Sequence, residues 1–130
     1  EHLARHKHAD LFLDTFNVNA HTTASDALWA GLPIVTKTGE SFAARVAASL
    51  LCAVGLPELV AETEEQYEAL IIDLVENPGR LAQIRQQLID NRLSAPLFDS
   101  ATYTKHLEKA YVEAYDRYFE GKEPDHIFVS

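Results

Sequence analysis

The stretch NAHTTASDALWAGLPIV, residues 19–35, decides how the chain folds. It reads as the end of a loop, a helix and a buried strand. Thr22 or Thr23 can start the helix, which runs to Ala30, and Gly31 is placed to end it. Pro33 to Thr36 then forms a short apolar strand. Upstream, Asp10 to Asp14 (DLFLD) is a second short apolar run that looks like a buried strand. Strand, helix and strand in succession predict a parallel α/β unit.

The same reading extends along the chain. Residues 1–8 (EHLARHKH) are a short helix or a loop. Thr38-Gly39-Glu40 is a turn, after which Ser41 can cap a helix carrying Phe42, Val46 and Leu50, with Gly55 as its stop. Leu59-Val60-Ala61 is a third strand. Thr63 to Gln66 has the T-x-x-Q form of a capping box, and behind it Tyr67, Leu70, Ile71, Leu74 and Val75 share one helix face. Asn77 and Pro78 open the next helix, with Leu81, Ile84 and Leu88 as its stripe. After Pro96 a last helix runs from Ser100 to Phe119, its buried face marked by Tyr103, Leu107, Tyr111, Ala114 and Tyr118. Residues 1–61 are therefore α/β and residues 62–130 helical. Two or three strands make a poor sheet by themselves. With a first residue that is not methionine, this suggests an excerpt of a longer protein whose further strands lie upstream, and an exposed edge open to self-association.

Composition narrows the function. The 130 residues are 47% hydrophobic, enough for one core, and carry a formal net charge of −9. That field disfavours nucleic acid and anionic membrane surfaces, but a helix N-terminus can still hold a small anion locally. The single cysteine, Cys52, lies in an apolar run and reads as a buried, inert thiol; a reducing, cytoplasmic setting fits. No apolar stretch is long enough for a membrane span.

The chemistry concentrates at the start of the first helix. His21, Thr22 and Thr23 stand where a loop following a parallel strand meets a helix N-terminus, the usual place for a ligand in an open α/β sheet. Unpaired N–H groups, the helix dipole and two hydroxyls suit a phosphate. Asp26, one turn on, repels phosphate but accepts well from a sugar hydroxyl. The set suits a nucleotide; equally, Thr22 or Thr23 can be nothing more than an N-cap. Spacing alone leaves both readings open. His2, His6 and His8 lack a carboxylate or cysteine to complete a metal site, so no metal is expected. Lys37 and Arg45 flank the Gly39 turn and could face a diphosphate, although solvated charges are the simpler reading. Leu28 and Trp29 are read as packing of helix on sheet.

The run LDTFNVNAHTTASDALWAGLPIVTKTGESFAARVAASLL, followed by GLPELVAETEEQYEAL and APLFD, closely resembles the protein O-linked N-acetylglucosaminyltransferase and SPINDLY-like family. The signature H-T-T-x-x-D-x-L-W-A-G is specific, and the likeness covers essentially the whole chain. The resemblance implies part of the C-terminal, Rossmann-like lobe of a GT-B glycosyltransferase. By matching position, His21, Thr22 and Thr23 would contact the diphosphate of the donor and Asp26 its ribose. EHLAR matches the segment around the uracil, so that His2 would lie against the nucleotide and Arg5 would contact the base. The implied donor is UDP-GlcNAc, the acceptor a protein Ser or Thr, and no cofactor is required. GDP-fucose, or a non-catalytic scaffold of the same fold, are the alternatives. The family's catalytic-side lysine and N-terminal-lobe histidine have no counterpart here, so no catalytic residue is assigned and these 130 residues alone are expected to be inactive. Ala20, where the animal enzymes have glycine, and Tyr115-Asp116 are departures that leave the phosphate set intact.

Overall fold

The computed structural model describes residues 1–129. Three short strands, β1 (Phe12–Leu13), β2 (Ile34–Lys37) and β3 (Val60–Ala61), form a parallel sheet in the order β1-β2-β3. Phe12 pairs with Ile34 and Leu13 with Val35; Thr36 pairs with Val60 and Lys37 with Ala61. Five helices accompany them: α1 (Thr22–Trp29), α2 (Val46–Val54), α3 (Glu64–Glu76), α4 (Pro78–Asn91) and α5 (Ser100–Phe119). Residues Leu3–His8, Pro57–Leu59 and Pro96–Phe98 form short 3-10 helices. The predicted α/β unit is therefore present, with β1 and β3 shorter than their apolar runs and β2 of the expected length but one residue later.

The centre of the core is β2. Ile34, Val35 and Thr36 are fully buried, with Ala24, Ala27 and Leu28 of α1 and Leu51 and Val54 of α2 among the residues packed around the same centre. Burial on both faces is the signature of a parallel sheet covered by helices. Leu74 of α3 and Ile84 and Leu88 of α4 close the cluster. Both helices of the first half stop in the same way. Gly31 (φ 84°) and Gly55 (φ 80°) adopt the left-handed conformation that glycine takes at low cost. Leu32 N–H then donates to Ala27 O at 2.9 Å and Leu56 N–H to Leu51 O at 2.9 Å, the closing bond of a Schellman turn. At Gly55 a Cβ would also meet Asn91 Nδ2 at 2.9 Å, so a side chain there is strained by the backbone and would push Asn91 off its hydrogen bond to Val54 O.

The starts of α3 and α5 are capped from within. Thr63 Oγ1 accepts from Gln66 N–H at 3.2 Å, while Gln66 Oε1 accepts from Glu62 N–H at 2.9 Å, one residue earlier than the standard capping box. At α5, Asp99 accepts from the Thr102 hydroxyl at 2.6 Å and from the N–H groups of Thr102 and Ala101 at 3.1 Å. Those bonds, the Thr102 hydroxyl foremost, hold the Asp99 carboxyl below its usual range. Asn77 precedes Pro78 as expected, but its side chain looks backward, donating to Asp73 at the end of α3.

Five expectations need correction. First, α2 begins at Val46: residues 41–45 form a turn closed by Gly39 N–H donating to Ala44 O at 2.8 Å, and Ser41 Oγ accepts from Ala44 N–H within that turn. Phe42 is consequently off the helix and 76% exposed. Second, Cys52 is exposed, because Ala47, Leu51 and Val54 take the inward face of α2 and leave Cys52 pointing away. Third, the aromatic stripe of α5 is uncovered: Tyr103 and Tyr111 are 66% exposed and Tyr118 76%. The helix packs at its start against Pro96–Phe98, and no described residue of α5 is buried. Periodicity showed an apolar face correctly but could not show whether these residues supply its partner. Fourth, Trp29 is half-exposed and meets Phe98 edge-on at 5.0 Å and the Arg92 guanidinium at 5.2 Å, while Leu28 alone faces the sheet side of the core. Fifth, Val75, placed on the buried face of α3, is exposed.

Leu28→Ala should destabilise the fold by roughly 2–5 kcal/mol, because the cavity opens beside β2 where neighbours cannot collapse; the urea unfolding midpoint measures it.

Candidate functional site

The parallel pairing puts the carboxyl ends of all three strands along one edge, and the loops that leave this edge carry the candidate residues. The loop 14–21 follows β1 and delivers His21 to the N-cap position of α1. Thr22 and Thr23 are the first two helical residues, and all three side chains are exposed. His21 makes no side-chain cap, and neither threonine acts as one: the residue in the capping position is the histidine. In contrast to Thr63 and Asp99, the polar residues at the start of α1 are not spent on closing the helix. The simple capping reading of Thr22 and Thr23 therefore loses its support.

The imidazole of His21 is steered by the turn that precedes α2. Its Nε2 lies 3.4 Å from Ala43 O, and the ring meets Phe42 edge-on at a centroid distance of 6.2 Å. On the other side of α1, the 3-10 helix Leu3–His8 brings His2 to Asp26: His2 Nε2 is 3.1 Å from Asp26 Oδ2. The two segments are 24 positions apart in sequence, so the contact joins the two halves of the predicted set. The His2 ring also meets His6 at 5.7 Å, and Arg5 stands exposed on the same short helix. Thus His2 and Asp26 are in contact, His21, Thr22 and Thr23 are contiguous, and Arg5 lies on the segment that carries His2.

Lys37 and Arg45 part company. Lys37, at the carboxyl end of β2, lies 4.7 Å over the Phe16 ring and pairs with Glu64 at 3.3 Å. Arg45 is exposed at the N-cap position of α2. A concave pocket of about 400 Å³, lined by Asp10, Leu74, Leu81 and Arg85 among others, lies between α3 and α4 and includes none of the cluster residues.

Sequence reading missed the residues that hold the loop. Asn19, 3% exposed, donates through Nδ2 to Thr15 O at 2.8 Å and accepts at Oδ1 from Ala47 N–H at 3.3 Å. It thereby satisfies a free N–H at the start of α2, the task expected of Ser41. The carboxylate of Asp14 is buried under the same loop. The available signal was polarity: an aspartate ending an apolar strand and an asparagine just before the histidine are both costly to bury unless bonded.

The family model described as glycosyl transferase family 41 matches residues 1–107. The chain belongs to glycosyl transferase family 41. This family 41 chain is 38% identical over 130 residues to the probable UDP-N-acetylglucosamine–peptide N-acetylglucosaminyltransferase SEC of Arabidopsis thaliana, covering 99% of the chain and 13% of the relative. It is 42% identical to the UDP-N-acetylglucosamine–peptide N-acetylglucosaminyltransferase of Caenorhabditis elegans, covering 98% of the chain and 11% of that protein. A probable SPINDLY enzyme of Hordeum vulgare is 36% identical over 95% of the chain and 13% of its own length. A solved mutant of the Thermobaculum terrenum O-GlcNAc transferase superposes with a TM-score of 0.78 at 38% identity, over 84% of this chain and 21% of that one. The fold is accordingly an α/β piece of a GT-B glycosyltransferase, and the chain spans a small part of the relatives it matches.

Replacing Thr22 and Thr23 together by alanine should change stability by less than about 0.5 kcal/mol, since surface positions without a cap contribute little. Thr63→Ala, which removes a real cap, should cost about 1 kcal/mol. Thermal denaturation of the two variants compares them directly.

Proposed function

We propose that the chain is the nucleotide-sugar-binding portion, residues 1–130, of an inverting protein O-glycosyltransferase that transfers N-acetylglucosamine from UDP-GlcNAc to Ser or Thr. The observation that carries this reading is the exposed His21-Thr22-Thr23 set at a helix start without a side-chain cap, at the carboxyl edge of a parallel sheet. The names of the relatives, which are UDP-N-acetylglucosamine–peptide transferases, support the choice of donor and of a protein acceptor.

In this reading the donor's diphosphate sits at the start of α1. The first-turn N–H groups and the Thr22 and Thr23 hydroxyls donate to it, with His21 alongside. Asp26 accepts from the ribose, while His2 and Arg5 border the uracil. The arrangement has a chemical use beyond affinity. Transfer leaves a nucleoside diphosphate with growing negative charge, and fixed donors aimed at that charge favour departure without needing a metal or another cofactor. Asp26 keeps a second carboxylate oxygen beyond the one facing His2, so one side chain can serve ribose and histidine together. No residue of the cluster is assigned as the base for the acceptor hydroxyl, which belongs to the rest of the protein. Among the described residues no helix is long and apolar enough to cross a membrane, and the net charge of −9 disfavours nucleic acid and anionic lipid surfaces as partners.

In the full-length protein, UDP should bind more tightly than GDP by calorimetry, because the EHLAR segment resembles the family segment that surrounds the uracil. Tighter GDP binding would move the assignment to fucosyl transfer. Replacing Thr22 and Thr23 together by alanine removes two hydrogen bonds to charged phosphate, each contributing roughly 1.5–3 kcal/mol. UDP affinity should fall about a hundredfold or more, with the melting temperature unchanged. Native UDP affinity in that variant would remove the threonines from the site.

A further inference from the structure

The loop that carries His21 rests on a buried carboxylate. Asp14 ends β1 and is 4% exposed. Its backbone N–H donates to Val35 O at 3.0 Å, which fixes the residue in the sheet, and its backbone carbonyl accepts from the Tyr67 hydroxyl at 2.9 Å. The side chain is used twice more. Oδ2 accepts from the fully buried Thr36 hydroxyl at 2.7 Å, and Oδ1 accepts from Ala20 N–H at 2.7 Å. Ala20 is the residue immediately before His21. Burial of Tyr67, and then the nearby Asp14 carboxylate, raise its phenol above the usual range.

A hydrogen bond from a backbone N–H to a charged acceptor is among the stronger ones a protein makes. Here it joins the end of a core strand to the single peptide from which the helix start departs. Asn19, the residue before Ala20, is held in turn: its N–H donates to Ala43 O at 2.8 Å and its Oδ1 accepts from Ala47 N–H. The loop is therefore clamped between β2 and α2. A peptide held at both sides cannot rotate freely, and the direction of the first-turn N–H groups of α1 is set with it.

We infer that Asp14 is a positioning residue for the nucleotide site: through Ala20 it sets where His21, Thr22 and Thr23 stand against the diphosphate, while its bond to Thr36 secures it to the core. This rests on the nucleotide-binding reading of the cluster. The two oxygens do separate work. Losing the Thr36 arm weakens the core, and losing the Ala20 arm misplaces the donors. Misplacement by a fraction of an ångström is enough to weaken binding that depends on fixed geometry.

The test uses the full-length protein, UDP calorimetry and donor-sugar kinetics. Asp14→Ala should weaken UDP at least tenfold and raise KM for UDP-GlcNAc more than it lowers kcat. Asp14→Asn keeps an oxygen that can accept from Ala20 but loses the charge, and should weaken UDP only about threefold. Thr36→Val should lower the melting temperature yet leave UDP affinity within about threefold of native. Native UDP affinity in D14A, or equal weakening by D14A and T36V, would overturn the inference by showing that Asp14 contributes stability alone. If D14A does not fold, D14N decides: weaker UDP binding together with faster amide exchange at Ala20 supports the role, and native values of both overturn it. Failure of the unmodified protein to bind UDP would instead remove the nucleotide reading itself, and this role with it.

Discussion

Strand β2 is the constraint on which the rest depends. It is only four residues long, yet it pairs in parallel on both sides, with β1 and with β3. Parallel pairing on both sides forces every crossover to return over a face of the sheet, so helices bury both faces and the loops after all three strands leave from the same edge. From this follow the burial of Ile34, Val35 and Thr36 and the meeting of the 14–21 and 38–45 loops around His21. The site is a consequence of topology before it is a matter of individual side chains.

Stability and the proposed binding use different parts of the same loops. Apolar side chains of α1 and α2 face inward: Ala24, Ala27 and Leu28 from the first, Ala47, Leu51 and Val54 from the second. The polar residues between them divide into two groups. Asp14, Asn19 and Thr36 are buried and bonded, so their polar groups are satisfied inside the protein. His21, Thr22 and Thr23 are exposed, and no side-chain cap closes the helix they begin. Buried polar groups that are fully bonded specify one loop conformation; on the proposed reading, exposed donors at the end of such a loop would meet a ligand with little further ordering.

Much of this was legible in the sequence because the relevant signals are local. Gly31 and Gly55 marked helix ends that the left-handed conformation then required, and Thr63 with Gln66 marked a helix start. The alternation of strand and helix around residues 10–36 gave the parallel unit. Signals that depend on distant partners were not legible. Ser41 looked like the cap of α2, but the free N–H of Ala47 is met by Asn19, 28 positions away. The tyrosine stripe of α5 looked like a buried face, and its covering is not among these elements. Cys52 followed its apolar neighbours in sequence but not in space, since a helix turns each residue about 100° from the last. At the site, His21, Thr22, Thr23 and Asp26 were readable as a set, whereas the contact of His2 with Asp26 needed the fold, and the supports Asp14 and Asn19 were hidden among ordinary strand and loop residues.

The proposed role of the α1 start is tested most directly by a crystal structure of the full-length protein with UDP bound. The diphosphate is expected at the N-terminus of α1, with phosphate oxygens within hydrogen-bond distance of the Thr22 and Thr23 hydroxyls, the ribose on Asp26 and the uracil beside His2 and Arg5. UDP held elsewhere, with His21, Thr22 and Thr23 still facing solvent, would contradict that role.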